Sequence, residues 1–295
     1  MRNRLSAVLL VAALVCQGAF AQTRSARVGM NASNTDYALP GGGLVFPTLD
    51  EYSNNGGVLL EKDFDTTFSG LNQDGEEAVM GLYGSASASA TYGTIRTRAS
   101  GTLTNSFYNS ENTPFHNSQT GETDYDGVPD IFNIQAQAGW TDKLAAGGTA
   151  NNYISTWIFD VTGSTSGSWA FSYLQVKIGN NDAQGISFSE STVNRRVRFS
   201  GFAIGNGQEN IDISVYTTFQ PQSQLISQGA TASGASNFGN TVKFVGVELR
   251  DTNGNLVNTS ITSASGYTYN VVPEPASMIA LGAGLAALIR RKKSR

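Results

Sequence analysis

An acidic segment near the middle of the chain has the spacing of a metal-binding loop. Glu122, Asp124, Asp126 and Asp130 occupy positions 1, 3, 5 and 9 of this segment, and Gly127 occupies position 6. Alternate carboxylates converge when such a loop curls around a hard cation, and the glycine permits the sharp turn that the curl requires. The pattern therefore predicts a calcium site.

The segment resembles the calcium loops of thrombospondin type-3 repeats and dockerins, but it differs from an EF-hand. Its twelfth position, where an EF-hand has glutamate, is Asn133, and no helical pattern flanks the loop. A lone loop of this kind binds calcium weakly or takes ligands from elsewhere in the chain. The alternative interpretation is an acidic, solvated loop that precedes a strand.

Candidate catalytic residues are few. His116 is the only histidine, so no histidine cluster can hold zinc, and any Ser-His-Asp triad would have to include it. We interpret His116 as a surface-loop residue because no nucleophile motif lies near it. Two acidic clusters could supply the carboxylate pair of a glycoside hydrolase. These are Glu61, Asp63 and Asp65, or Glu76 and Glu77.

The three tryptophans are the residues best suited to stack on sugar rings. Trp140 continues the apolar alternation of its strand, and Trp157 and Trp169 also lie in strand-like segments. Large aromatic side chains on the strands of a sandwich usually fill its core. We therefore predict that all three are core residues rather than a binding platform.

The N-terminus has the three parts of a secretory signal peptide. Arg2 and Arg4 precede an apolar run over residues 5–15, and Ala19 and Ala21 form an A-x-A cleavage site. Export through the general secretory pathway and cleavage by signal peptidase would remove the single cysteine with this segment. The mature protein would then have neither a disulfide nor a thiolate metal site.

The C-terminus combines a proline motif, a short apolar run and a basic end. The apolar run, residues 276–289, measures about 21 Å as a helix, against roughly 30 Å of bilayer hydrocarbon. Basic side chains extend its reach, so it predicts a short transmembrane helix with a cytoplasmic C-terminus. The motif is Val272, Pro273, Glu274 and Pro275, and the basic end includes Arg290, Arg291, Lys292 and Lys293.

This combination resembles the PEP-CTERM sorting signal, over residues 272–295 alone. The resemblance implies an exported protein whose tail is recognised and cleaved by an exosortase in the inner membrane of a Gram-negative, exopolysaccharide-producing bacterium. The apolar helix would anchor the protein transiently, before display at the cell surface or release. A sorting signal specifies an address, so it does not describe the activity of the domain before it.

Removal of both ends makes the protein strongly acidic. Of the 19 basic residues, two leave with the signal peptide and five with the tail, so 12 remain against 23 acidic residues, a net charge of −11. Such a surface repels anionic polymers and attracts divalent cations. Nucleic acid is therefore not an expected partner.

Between the two ends, apolar and polar residues alternate with a period of two. Residues 132–140, 211–219 and 245–249 predict strands, and the last is followed by an Asn253-Gly254 turn. Residues 169–178 change phase, which predicts a bulge or two strands. Because no long helical stripe interrupts this pattern, we predict an all-β fold: a single antiparallel β-sandwich that is jelly-roll-like.

We divide the chain into three segments. Residues 1–21 are the signal peptide, residues 22–265 form the sandwich, and residues 266–295 contain a stalk and the sorting signal. The link before the tail is polar and irregular, so few contacts should cross it.

Composition and tail together predict a non-enzymatic protein with a structural or adhesive role in the cell surface or extracellular matrix. Its expected partners are the exosortase, signal peptidase and extracellular polysaccharide. One alternative is a carbohydrate-binding module, which an exposed row of aromatic residues would favour. The other is a secreted polysaccharide-active hydrolase, which two carboxyl groups in a cleft would favour.

The acidic segment gives a test with calcium. If its four carboxylates share an ion, millimolar calcium raises the melting temperature, because a ligand that binds only the folded state stabilises it by mass action. Asp126→Ala abolishes the shift, and Asp182→Ala, outside the segment, retains it. Identical melting curves in calcium and in chelator would leave only the acidic-loop interpretation.

Overall fold

The structure is a computed structural model, and it describes most of the chain between the predicted signal peptide and the predicted C-terminal helix. The described residues are 23–33, 49–53, 59–71, 77–105, 131–148, 152–205, 207, 209–221 and 229–272. The predicted signal peptide and the predicted C-terminal helix lie outside them. No helix among the described residues has the length and apolarity needed to cross a bilayer.

The described part of the chain forms thirteen β-strands, which confirms the all-β prediction. The strands are β1 (Thr23–Ser33), β2 (Leu49–Ser53), β3 (Leu60–Leu71), β4 (Glu77–Thr91), β5 (Thr94–Asn105), β6 (Ile131–Ala146), β7 (Asn152–Ser166), β8 (Ala170–Ile178), β9 (Gln184–Phe188), β10 (Val193–Gly205), β11 (Glu209–Phe219), β12 (Thr231–Arg250) and β13 (Ile261–Ser263). The predicted turn follows β12, where Gly254 has a φ of 85°.

The strands form two antiparallel sheets. The seven-stranded sheet has the order β2-β1-β6-β11-β8-β9, with β13 paired to β6, and the six-stranded sheet has the order β10-β7-β12-β5-β4-β3. From β5 to β12 the chain changes sheet at every connection except that between β8 and β9. Strands β5-β12-β7-β10 therefore oppose β6-β11-β8-β9, which is the arrangement of an eight-stranded jelly roll.

One hydrophobic core lies between the sheets. Strands β6 and β11 direct every second side chain into it, as the period-two alternation predicts. Trp140 and Trp157 are fully buried, and Trp169 is partly buried against the same core. The tryptophans are thus core residues, as predicted, and they form no binding platform.

Strand β8 is uninterrupted, which differs from the predicted bulge. Its inward positions include Ser172, whose hydroxyl lies 2.7 Å from that of Thr217 and 2.9 Å from that of Ser236. This buried hydroxyl interrupts the apolar alternation without interrupting the strand. Phe171 and Tyr173 therefore lie in the outward phase of the strand.

The residues that follow β13 pack on the sandwich, whereas the sequence predicted an irregular stalk from residue 266. We call residues 264–272 the C-terminal strap. Tyr269 of the strap is 2% exposed, and Tyr267 and Val271 are partly buried against the core. These apolar residues alternate with Thr268 and Asn270, so the strap has the period-two pattern of a strand that buries one face.

The strap sets where the folded unit ends. We expect residues 22–272 to form a soluble, cooperatively unfolding domain with a β-rich circular dichroism spectrum and no need for reducing agent. Residues 22–265 should melt at a lower temperature, because they leave buried aromatic and polar groups of the sandwich without partners. Equal melting temperatures for the two proteins would contradict the role of the strap.

Candidate sorting site and its seat on the sandwich

The strap pairs with β12 beyond the end of the ladder that joins β5 to β12. Pairing of β5 with β12 ends at Thr94 and Lys243. Beyond that point, the amide of Val247 donates to the carbonyl of Asn270 at 2.9 Å, and the amide of Val272 donates to the carbonyl of Val247 at 2.9 Å. The strap thus satisfies backbone groups of β12 that would otherwise form an open sheet edge.

The buried carboxylate of Asp142 fixes the strap to β6. Asp142 is 1% exposed. It accepts hydrogen bonds from the amide of Lys143 at 2.8 Å, the amide of Ser265 at 3.1 Å, the hydroxyl of Ser265 at 2.5 Å and the hydroxyl of Tyr269 at 3.1 Å. These donors offset the loss of hydration that burial of a carboxylate entails.

Aromatic side chains surround this hydrogen-bond network. The ring of Tyr269 lies 5.5 Å from the rings of Trp157 and Phe244, and 4.9 Å from the ring of Tyr267, with edge-to-face geometry in each case. The indole nitrogen of Trp140 donates to the Tyr269 hydroxyl at 3.1 Å. Burial, together with the nearby Asp142 carboxylate, raises the pKa of Tyr269, so its hydroxyl keeps the proton that it donates.

The first residue of the predicted sorting motif occupies a notch in the six-stranded sheet. A side chain at Gly246 would place its Cβ 2.4 Å from Cγ2 of Val272 and 2.9 Å from the carbonyl oxygen of Asn270. Only glycine leaves room for this close approach. Since Pro273 follows directly, the sandwich holds Val272 and leaves no spacer between the folded domain and the proline motif.

Most of the other predicted site residues lie outside the described residues. This applies to Pro273, Glu274 and Pro275, to Arg290, Arg291, Lys292 and Lys293, to Glu122, Asp124, Asp126 and Asp130, to His116, and to Ala19 and Ala21. Within the described part of the chain, no group of three or more histidine, cysteine, aspartate or glutamate side chains could hold a metal ion.

One of the two candidate hydrolase clusters lies on an open strand face, and the side chains of the other, Glu76 and Glu77, lie outside the described residues. Glu61, Asp63 and Asp65 are exposed at alternate positions of β3, an edge strand of the six-stranded sheet. Alternate residues of a strand lie about 7 Å apart on one face. The three carboxylates therefore share a face, but that face is open to solvent.

Sequence reasoning missed the residues that seat the strap. Asp142 falls in the inward phase of β6, and an acidic residue at an inward position was the available signal. The partners are far apart in the sequence, because Tyr269 follows Asp142 by 127 residues. No local pattern connects them.

Tyr269→Phe tests the hydrogen-bond network around Asp142 by removing the hydroxyl group of Tyr269. The substitution leaves the indole nitrogen of Trp140 buried without an acceptor and removes one donor from Asp142, so we expect the free energy of unfolding to fall by about 1–3 kcal/mol. Tyr83→Phe removes the same atom from a side chain that is 44% exposed and should change stability by less than about 0.5 kcal/mol. Urea denaturation measures both values, and equal effects would contradict the network.

Comparisons with known proteins match the tail to a family of sorting motifs and give low similarity to solved structures. No curated protein matches the chain by sequence. The structure of TmCBM61 in complex with beta-1,4-galactotriose shows 9% identity and a TM-score of 0.22, over 39% of this chain and 69% of that one. The enzymatically active domain of bacteriophage CBA120 tailspike protein 4 shows 9% identity and a TM-score of 0.17, over 51% of this chain and 18% of that one. Both TM-scores are too low to support an argument about fold or function.

The C-terminal match is to a family of sorting motifs. Residues 271–293 match the family described as the PEP-CTERM protein-sorting motif. The match includes Val272 in its notch and the proline motif that follows. A protein with this motif is exported and is a substrate of an exosortase. This chain therefore carries a PEP-CTERM protein-sorting motif at its C-terminus.

Proposed function

We propose that the mature β-sandwich is a non-enzymatic structural or adhesive component of the bacterial surface or extracellular polysaccharide matrix. The observation that carries this proposal is the sorting motif, joined without a spacer to a jelly-roll domain. Export by the N-terminal signal and removal of the tail would deliver this domain, alone, to the polysaccharide outside the cell.

The contacts that hold the strap on the sandwich support a defined position for the domain before cleavage. Val272 is held by β12, and the predicted membrane helix starts at residue 276. The four peptide steps from Val272 to residue 276 span at most about 14 Å. The anchored sandwich would thus stand close to the outward-facing surface of the inner membrane. There the exosortase would meet the proline motif.

The arrangement of acidic groups supports a non-enzymatic role. A general acid for glycoside hydrolysis needs a sheltered site that keeps it protonated near neutral pH. Glu61, Asp63 and Asp65 are instead solvated on an open edge strand. The buried carboxylate, Asp142, is occupied by four donors that hold the strap.

Two measurements test this proposal. In a host with an exosortase, mass spectrometry of the surface and secreted fractions should detect no peptide that contains Arg290–Arg295. The peptide should persist, in the membrane fraction, when the exosortase is deleted or when Pro273 and Pro275 are both replaced with alanine. An intact tail in the surface fraction of the wild-type host would contradict processing.

The second measurement concerns the role. The processed protein should co-purify with the extracellular polysaccharide and should leave the chain length of that polysaccharide unchanged, as measured by size-exclusion chromatography. Shortening of the chains by wild-type protein, but not by Asp63→Asn, would replace this proposal with the hydrolase alternative.

A further inference from the structure

Three glycines lie side by side across the six-stranded sheet. Gly84 of β4 pairs with Gly101 of β5, and Gly101 pairs with Gly234 of β12. We call these residues the glycine row. Side chains there would collide with the opposite sheet, because a Cβ at Gly101 would lie 2.3 Å from Cδ1 of Phe219, and one at Gly84 would lie 2.5 Å from Cδ1 of Ile134. The row lets these two core side chains approach the backbone of the six-stranded sheet closely.

The outer side of the glycine row is a shallow groove. It has a volume of about 400 Å³, within the range of sites that bind small ligands. Besides the glycines, its lining is formed by Tyr83, Ser100, Thr102, Ser166, Ser233 and Ala235. The groove therefore combines one aromatic ring, four hydroxyl groups and bare backbone.

Tyr83 supplies a flat surface at this groove. A Cβ at Gly81 would lie 2.8 Å from Cε2 of Tyr83, so the ring lies over the backbone of its own strand. Tyr83 is 44% exposed, so one of the large side chains that the described part of the chain leaves open to solvent lies at this groove. An aromatic ring that is fixed by the backbone and open to solvent can stack on the apolar face of another ring without losing much conformational freedom.

Hydroxyl groups continue the groove beside the tyrosine. The hydroxyls of Thr102 and Ser233 lie 3.2 Å apart, and those of Ser85 and Ser100 lie 3.1 Å apart. Each hydroxyl can donate one hydrogen bond and accept two. Pairs of this kind match the vicinal hydroxyl groups of a pyranose ring, which also donate and accept.

The charges around the groove select against anionic ligands. No charged side chain belongs to the described lining of the groove. On its β3 side, exposed Asp65 pairs with Tyr83, and exposed Asp63 pairs with Ser85. Arg98 lies two residues from Ser100 along β5, outside the lining. A carboxylated ligand would thus be repelled on the β3 side, and the described lining itself supplies no cation to bind it.

We propose that this groove, the outer face of the glycine row with Tyr83 at one end, binds an uncharged segment of a polysaccharide chain. A protein partner fits it less well, because the core of a protein interface usually presents several clustered apolar or aromatic residues. The groove has one ring among hydroxyls. This inference rests on the proposed matrix role and names its partner: a neutral glycan.

Binding of defined hexasaccharides to the exported, processed protein tests the groove. The probes are neutral gluco-, manno- and galacto-hexasaccharides and the hexamers of the corresponding uronic acids, titrated by isothermal calorimetry. At least one neutral hexamer should bind, and its uronic acid counterpart should bind more weakly. Tyr83→Ala should weaken binding of the neutral hexamer by about tenfold or more, since the stacking surface is lost.

Matched variants separate the groove from general effects. Tyr173→Ala removes a tyrosine from the outward phase of the opposite sheet and should leave affinity unchanged. Asp63→Asn combined with Asp65→Asn should raise affinity for uronic acid hexamers and leave neutral binding unchanged. The proposal is overturned if no neutral hexamer binds at millimolar concentration, if Tyr83→Ala retains full affinity, or if the acidic hexamers bind better. None of these results would affect the test of tail processing.

Discussion

The buried carboxylate of Asp142 is the constraint on which closure of the sandwich depends. A carboxyl group at 1% exposure is tolerated only when hydrogen-bond partners replace its water. Three of its four donors come from Ser265 and Tyr269, more than 120 residues further along the chain. Without the strap, β6 would contain a nearly bare charge in the core, and β12 would have an open edge. The final residues before the sorting motif therefore belong to the core.

This dependence links folding to sorting. The strap can dock only after β6 and β12 have come together, because its partners lie on both strands. Docking of the strap also places Val272 in the Gly246 notch, one residue before Pro273. A completed sandwich thus holds the chain at Val272, directly before the proline motif in the sequence.

Much of this architecture follows from local sequence patterns. The rest depends on contacts between residues that are far apart in the sequence. Alternation along β6 and β11 predicts strands and their inward faces, and the Val272–Pro275 motif with its apolar and basic neighbours predicts the address. The pattern fails where a polar residue has a buried partner. Ser172 suggests a bulge because its hydroxyl partners are not visible in the sequence. The strap resembles a stalk because its partner Asp142 lies more than 120 residues away along the chain. The glycine row, likewise, exists only through the register of three strands.

The glycine row also explains why the chemistry of the groove is informative. Phe219 and Ile134 need the space that glycine leaves on the inner side of the six-stranded sheet, so core packing alone accounts for Gly84, Gly101 and Gly234. Core packing places no such demand on the outer face, because small polar residues of any kind are compatible with exposure to solvent there. The exposed tyrosine and the paired hydroxyls of the outer face are therefore not required by the packing of the core. The composition of the outer face instead fits the proposed glycan partner, because a hydroxyl-rich polymer outside the cell has matching hydrogen-bonding chemistry.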